Sequence, residues 1–246
     1  MNFNVKSPLY VMIYAAVVSA MFTAAIMTLH AATQHIVERN ERLARMSALV
    51  TLFDFGEPAD LSDARVEELF QTHIVPMEGE LIDPESGIIF NSPDDPRLGT
   101  YKAYDGDPNA GGKLIGYAFP VWGIGFWARI DGLMGISPDG SRSLGVVFLQ
   151  HQETPGLGGR ITEPRFRKEF EGLDLTPPRE AGKYVYISKQ PPGRGEPAYG
   201  RHVDSITGAT GTSNAVEDFL NLRIRQFRRA AQARDLLKDT DTEGGN

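Results

Sequence analysis

The longest apolar run in the chain, Leu9 to Leu29, reads LYVMIYAAVVSAMFTAAIMTL and contains no charge. At the rise of a helix, a run of this length crosses the roughly 30 Å hydrocarbon layer of a bilayer. A cleaved signal peptide is the competing reading, but its apolar core would be shorter and Leu29-His30-Ala31 is a poor small-residue cleavage site. The pattern therefore predicts an uncleaved membrane anchor through residues 9–29. Beyond it, Ile36, Leu43, Met46, Val50 and Phe53 recur at spacings of seven, three, four and three. That period continues the helix as an amphipathic stalk. Asp54-Phe-Gly-Glu-Pro58 supplies the breakers that end it, and Leu61 to Val75 reads as a second helix with Ser62 as N-cap.

From about residue 79 the period shortens to that of strands divided by turn clusters. Ile88 to Phe90, Leu114 to Trp122, Phe126 to Ile136 and Leu144 to Leu149 are the strand candidates. Ser137-Pro-Asp-Gly140 is a turn signal that makes the last two a hairpin. Glu163 to Leu173 reads as a short helix and Tyr184 to Ile187 as a strand, with a Pro/Gly-rich loop from Gln190 to Pro197. A long helix follows, from about Ser213 to Leu237, with Val216, Leu220, Ile224, Phe227 and Ala231 as its apolar stripe. Arg223, Arg225, Arg228, Arg229 and Arg234 occupy its later turns, where the helix dipole favours cations; a solvated face is the expected role, a partner-binding patch the alternative. The predicted class is α+β: a transmembrane anchor and helical stalk over 1–53, one mixed domain over 54–238, and a polar disordered tail over 239–246.

Charge narrows the function. The net charge of −7 gives no basic footprint for nucleic acid. The chain has no cysteine, which excludes disulfides, thiolate nucleophiles, Fe–S clusters and cysteine-ligated zinc. His151 and His202 are too scattered to suggest a metal site, and no HExxH, Walker A, G-x-G-x-x-G or G-x-S-x-G pattern occurs. Flanking charge leans towards a cytoplasmic C-terminal part, because Arg39, Arg42 and Arg45 follow the span, although Glu38 and Glu41 alternate with them.

Two segments carry candidate chemistry. His151-Gln-Glu-Thr-Pro-Gly-Leu-Gly-Gly159 follows a strand and has the small residues that let a backbone turn tightly and present N–H groups. Asp204-Ser-Ile-Thr-Gly-Ala-Thr-Gly-Thr-Ser213 runs directly into the long helix. Thr212, Ser213 or Asn214 can cap that helix. Gly208, Ala209 and Gly211 exceed what a cap requires; they keep the helix N-terminus open, where a phosphate is favoured. The residues themselves thus read as a phosphate-binding turn or a helix cap.

Thr207-Gly-Ala-Thr-x-Thr212 with Asp204 three positions upstream resembles the flavinylation motif of the FMN-binding domain family. That family includes the C subunit of the Na+-translocating NADH:quinone oxidoreductase and the G subunit of Rnf complexes. His-x-Glu-Thr-Pro-Gly-Leu-Gly resembles a second hallmark of the same family. Gly123-Ile-Gly-Phe-Trp127, the Asp139-Gly140 turn and Gly158–Ile161 look more like the Na+-pump subunit. Gly211 departs from the pattern, since a larger apolar residue is usual there.

The resemblance implies FMN bound covalently by a phosphoester to Thr210, with Thr212 the nearest rival acceptor and Thr207 the next. Thr207, Gly208, Ala209 and Thr212 would surround the linkage, and Glu153, Thr154, Leu157 and Gly158 would line the flavin and its phosphate. A flavin transferase using FAD would make the bond, with Asp204 and the Gly-Ala pair as recognition features. The implied role is electron transfer within a membrane ion-translocating redox complex, beside its other membrane subunits. No catalytic acid–base residue and no metal ligand is expected. The resemblance also places the flavin domain on the periplasmic side of the cytoplasmic membrane, against the charge lean. A free-standing periplasmic flavoprotein and a flavin-free anchored scaffold or binding module are the alternatives. Trp122, Phe126 and Trp127 could stack on a flavin, but core packing is the expected role for each, as for Met134.

Overall fold

The computed structural model describes residues 7–57, 60–95, 97–178 and 182–237; the expected polar tail lies outside them. The chain divides into two compact units, Met1–Ala44 and Arg45–Asn246. In the first, residues from Pro8 onward belong to helix α1, Pro8–Leu52, and their apolar side chains are exposed, with Leu9, Met12, Met21, Phe22 and Leu29 each more than 60% accessible. One helix is therefore long and apolar enough to cross a membrane. Exposure on all sides is what a helix solvated by lipid requires, since nothing in its own unit covers it.

The second unit is a mixed α+β domain. Its order is α2 (Asp63–His73), β1 (Ile74–Pro76), β2 (Leu81–Ile82), β3 (Ile89–Asn91), β4 (Tyr101–Tyr104), β5 (Leu114–Ile124), β6 (Arg129–Ile136), β7 (Ser143–Gln150), α3 (Pro164–Lys168), β8 (Tyr186–Ser188), β9 (His202–Asp204) and α4 (Thr210–Gln232). Five strands form one antiparallel sheet in the order β1-β4-β5-β6-β7. Strands β2 and β3 make a small antiparallel pair, and β8 and β9 a parallel one.

The sheet is covered on both faces. Tyr117, Phe119 and Val121 of β5, with Ile130, Met134 and Ile136 of β6, point into the larger core under α4. The intervening residues Ala118 and Leu133 point the other way, into a core built by Leu49, Val50, Leu52 and Phe53 with Val66 and Leu69 of α2. This is the period-two alternation of strands read out as two cores. The last turns of the predicted stalk pattern, Met46 to Phe53, are thus part of the globular core. Helix α4 presents Val216, Leu220, Ile224 and Phe227 to the sheet; the Phe227 ring stacks on Phe119 at 3.8 Å and Phe90 meets both rings edge-on.

Several boundaries differ from the sequence pattern. Strand β6 starts at Arg129 because Gly125 N–H bonds Ala128 O at 2.7 Å, so Phe126 and Trp127 form a tight turn between β5 and β6. Helix α4 begins at Thr210, and Ala209, with no side-chain cap bond, stands at its N-cap. Thr212, Ser213 and Asn214 therefore cap nothing: they lie inside the helix. Short strands β1, β4 and β9 carry too few residues to show a period and were invisible in the pattern.

The arginines of α4 are neither a solvated face nor a free patch. Arg228 is buried and donates to Gly140 O at 2.5 Å and Leu175 O at 3.2 Å. Arg229 makes two bonds to the fully buried Asp83, Arg223 bonds Trp122 O and lies over its ring, and Arg234 reaches Glu80 O. Arg225 alone of the five stays exposed without a bond among the described residues. These side chains tie α4 to Asp83 and to the backbone at Gly140, Leu175, Trp122 and Glu80.

Candidate functional site

The two motif segments meet. A cavity of about 170 Å³ is lined by Phe126 and Trp127 from the β5–β6 turn, Glu153, Thr154, Leu157 and Gly158 after β7, and Gly208 to Thr212 at the start of α4. Eight of the nine predicted site residues line it. Thr207 does not: it faces a neighbouring cleft with Asp204, Arg165 and Lys189.

Each segment reaches this point for a local reason. After β7 the N–H of Glu153 donates to His151 Nδ1 at 3.2 Å, and the N–H groups of Leu157 and Gly159 close back on Thr154 O at 3.1 and 2.9 Å. The Pro-Gly-Leu-Gly stretch is thereby curled into a compact loop that leads into a 3₁₀ turn, Gly158–Thr162. Before α4, Gly208 takes a left-handed φ of +83°, which other residues adopt only with strain. That turn lets the Ala209 N–H bond Ile206 O at 3.0 Å, and Ser213 Oγ accepts from the Ile206 N–H at 3.1 Å. The motif is thus tied back on the helix it precedes.

The three threonines are placed differently. Thr212 is buried and its hydroxyl donates to Glu153 Oε2 at 2.6 Å. Thr210, at the first helical position, is exposed and its hydroxyl has no hydrogen-bond partner among the described residues. Thr207 is exposed outside the cavity. The first-turn N–H groups of Thr210, Gly211 and Thr212 likewise have no acceptor among the described residues. A helix start with free donors and no acidic side chain in its first turn is a ready anion cradle, and the dipole adds to it. These orphaned donors beside a free hydroxyl fit a phosphate ester at Thr210.

The aromatic pair was misplaced by the pattern. Phe126 and Trp127 are not core residues: they are 61% and 66% accessible, while Trp122 is half-buried between Arg129 and Arg223 and Met134 is fully buried as expected. Trp127 is held by Nε1–H donation to Thr154 Oγ1 at 3.1 Å, and its ring stands edge-on to Phe126 at 5.1 Å. The signal that could have found them is their position: two aromatics between strands, flanked by Gly125 and in a turn, have no core to enter. Phe126 also explains the departure at Gly211. A Cβ there would lie 2.5 Å from the Phe126 ring, so the missing side chain makes room for the ring over the helix start. The cavity itself is smaller than the ~300 Å³ or more of sites that enclose a drug-sized ligand. It suits a phosphate and the start of its chain, with a flat ring left outside against Phe126, Trp127 and the half-exposed Leu157.

Comparison with known proteins agrees with the motifs. Residues 125–224 match the FMN-binding domain family. Over that region the chain is similar to the FMN-binding domain family, and it is also similar to the C subunit of the Na+-translocating NADH-quinone reductase. It is 36% identical over 120 residues to that protein from Pasteurella multocida, a stretch covering 48% of this chain and 44% of the relative. The alignment thus spans less than half the length of that relative. With the Pseudomonas aeruginosa counterpart the identity is 27% over 242 residues, 87% of this chain and 88% of the relative. The crystal structure of NqrC from Shewanella oneidensis shares the fold, with a TM-score of 0.59 at 21% identity, over 80% of this chain and 99% of that one. The matched region contains both motif segments and the aromatic turn, but Asp83 and the helices that cover the second sheet face lie upstream of it.

Proposed function

We propose that this chain is the FMN-carrying electron-transfer subunit of a membrane ion-translocating redox complex of the NADH:quinone reductase type, with FMN bound by a phosphoester to Thr210 Oγ1. The observation that carries the reading is the contrast between the hydroxyls: Thr210 is free and exposed above open first-turn N–H groups, whereas Thr212 is buried and committed to Glu153. When bound, FMN supplies one-electron carriage between a donor and an acceptor. The protein's part is to hold and orient. The N–H groups of Thr210, Gly211 and Thr212 bind the phosphate, Ala209 and Gly208 keep the approach open, and Thr154 steadies Trp127 beside it. Leu157 and the two aromatics, all exposed, would offer the ring an apolar face.

A flavin transferase would form the bond from FAD, breaking its pyrophosphate and releasing AMP, and the exposed Asp204 is available to it: its N–H donates to Glu169 Oε2 at 2.5 Å, while among the described residues its carboxylate pairs with His202 Nδ1 alone, at 3.9 Å. Residues 9–29 anchor the chain as a single pass in the cytoplasmic membrane, residues 30–44 continue the helix beyond the anchor, and the domain, which begins at Arg45 rather than at 54, lies on the periplasmic side among the other membrane subunits of the complex. The test is intact-mass measurement after co-expression with a flavin transferase. A flavin adduct is expected in the wild type and in Thr212→Ala, and none in Thr210→Ala. An unshifted wild-type mass refutes the flavoprotein reading, and an adduct that survives Thr210→Ala and vanishes in Thr212→Ala refutes the acceptor. The side of the membrane is read from a Gln152→Cys variant of this cysteine-free chain, which a membrane-impermeant thiol reagent should label in intact cells.

A further inference from the structure

Glu153 is 4% accessible, and both of its oxygens are in use inside the protein. Oε1 accepts from the N–H groups of Phe126 at 2.8 Å and Trp127 at 3.1 Å, and Oε2 accepts from Thr212 Oγ1 at 2.6 Å. One side chain thus joins the loop after β7, the turn between β5 and β6, and the first turn of α4. The space it fills is made by missing side chains. A Cβ on Gly125 would lie 2.5 Å from Oε1, and one on Gly158 would lie 2.5 Å from Oε2 and 2.4 Å from Thr212 Oγ1.

We infer that Glu153 is a positioning residue: it does not contact the flavin, but fixes the Phe126–Trp127 turn against the Thr210 helix start and keeps Thr212 turned inward. A buried carboxylate is costly unless it is hydrogen-bonded, and three donors in a space cut to its shape meet that condition. These bonds take three of its roughly four acceptor sites, and its burial leaves little of it open to a ligand group. The two N–H groups have no other partner among the described residues, so without Glu153 the turn keeps its own closing bond, Gly125 N–H to Ala128 O, but only the Trp127–Thr154 bond ties it to the loop after β7.

This inference rests on the flavoprotein reading for its purpose but not for its test. The chain has two tryptophans, so Trp122→Phe leaves Trp127 as the single reporter in the full-length, flavin-free protein. In that background Glu153→Gln is expected to keep the Trp127 emission anisotropy, because an amide oxygen still accepts both N–H groups while its NH₂ meets Thr212 Oγ1. Glu153→Asp keeps the charge but is one methylene too short, and should lower the anisotropy and raise acrylamide quenching at least twofold, as should Glu153→Ala. In flavin-loaded protein the same order should appear in the visible circular dichroism of the ring. An anisotropy that Asp preserves and Gln loses would show that charge, not reach, is what matters and would overturn the inference. So would an unchanged signal in Ala. Should Ala fail to fold, the Gln–Asp contrast still decides. Loss of the flavin from the wild type would sink the proposed function and leave this result standing.

Discussion

Removing the guanidinium of Arg229 should destabilise the domain far more than loss of a surface ion pair. Asp83 has no accessible surface, and Arg229 clamps it through Nε to Oδ1 at 2.8 Å and Nη2 to Oδ2 at 2.6 Å. Its Nη1 also lies 3.0 Å from Glu85. The arginine, its hydrogen bonds foremost, holds the Asp83 carboxyl far below its ordinary value of 3.8, against the effect of burial. Breaking a buried pair from one side costs about 3–5 kcal/mol because a charge is left uncompensated. Two facts reduce that here: a quarter of the Arg229 side chain is exposed, and Asp83 keeps the N–H groups of Glu85 and Ser86 and the Ser86 hydroxyl. A cost of about 2–3 kcal/mol for Arg229→Met follows, or roughly 4–12 °C in Tm for a chain of this size. Thermal unfolding of the full chain in detergent, followed by tryptophan fluorescence, measures it. Asp83→Asn with Arg229→Met should recover much of the loss, since no charge is then buried alone. A depressed carboxyl pKa stabilises the fold above the unfolded value and loses that contribution as pH falls below 3.8 towards the folded one. Wild type should therefore lose stability on acidification through that window more steeply than Asp83→Asn. A fall of less than about 1 °C in Arg229→Met at neutral pH, within the range of exposed pairs, would refute the argument.

Asn221 is the second polar staple of α4: its side chain accepts from the N–H groups of Tyr184 and Val185 and donates to Val185 O. Asn221→Ala should cost about 2–3 kcal/mol by leaving buried backbone groups unpaired, measured by the same melts. Gly158→Ala would drive a methyl into Thr212 and Glu153; a loss of about 1–3 kcal/mol is expected, with a lower flavin content by absorbance per chain. Phe227→Ala removes the ring stacked on Phe119 and should cost about 3–5 kcal/mol, while leaving the Thr210 hydroxyl free for modification in whatever fraction folds.

Much of the molecule is legible without coordinates, and particular residues show why. The run Leu9 to Leu29 and the stripe on α4 are long enough for their periods to exceed noise, so both helices were read correctly in kind. The motif around Thr210 was legible because glycines and threonines in series are more than a helix cap uses. Short strands such as β4 and β9 were not, since four or fewer residues cannot establish an alternation. The arginines of α4 were misread for a different reason: Asp83 is 146 residues from Arg229, and nothing local marks one as the partner of the other.

By itself, then, the sequence determines the apolar span, the order of the longer helices and strands and the two segments in which the chemistry resides, because these depend on neighbours within a turn or two. Tertiary structure alone decides which threonine is free. Thr210 and Thr212 are two residues apart in one motif and equivalent as hydroxyls; only Glu153, brought 59 residues along the chain into hydrogen-bond range, buries one and leaves the other open. Likewise Phe126 and Trp127 have the side chains of core residues. The turn that Glu153 holds exposes them, because the strands on either side have already filled the core with Phe119 and Val121 of β5 and Ile130 and Met134 of β6.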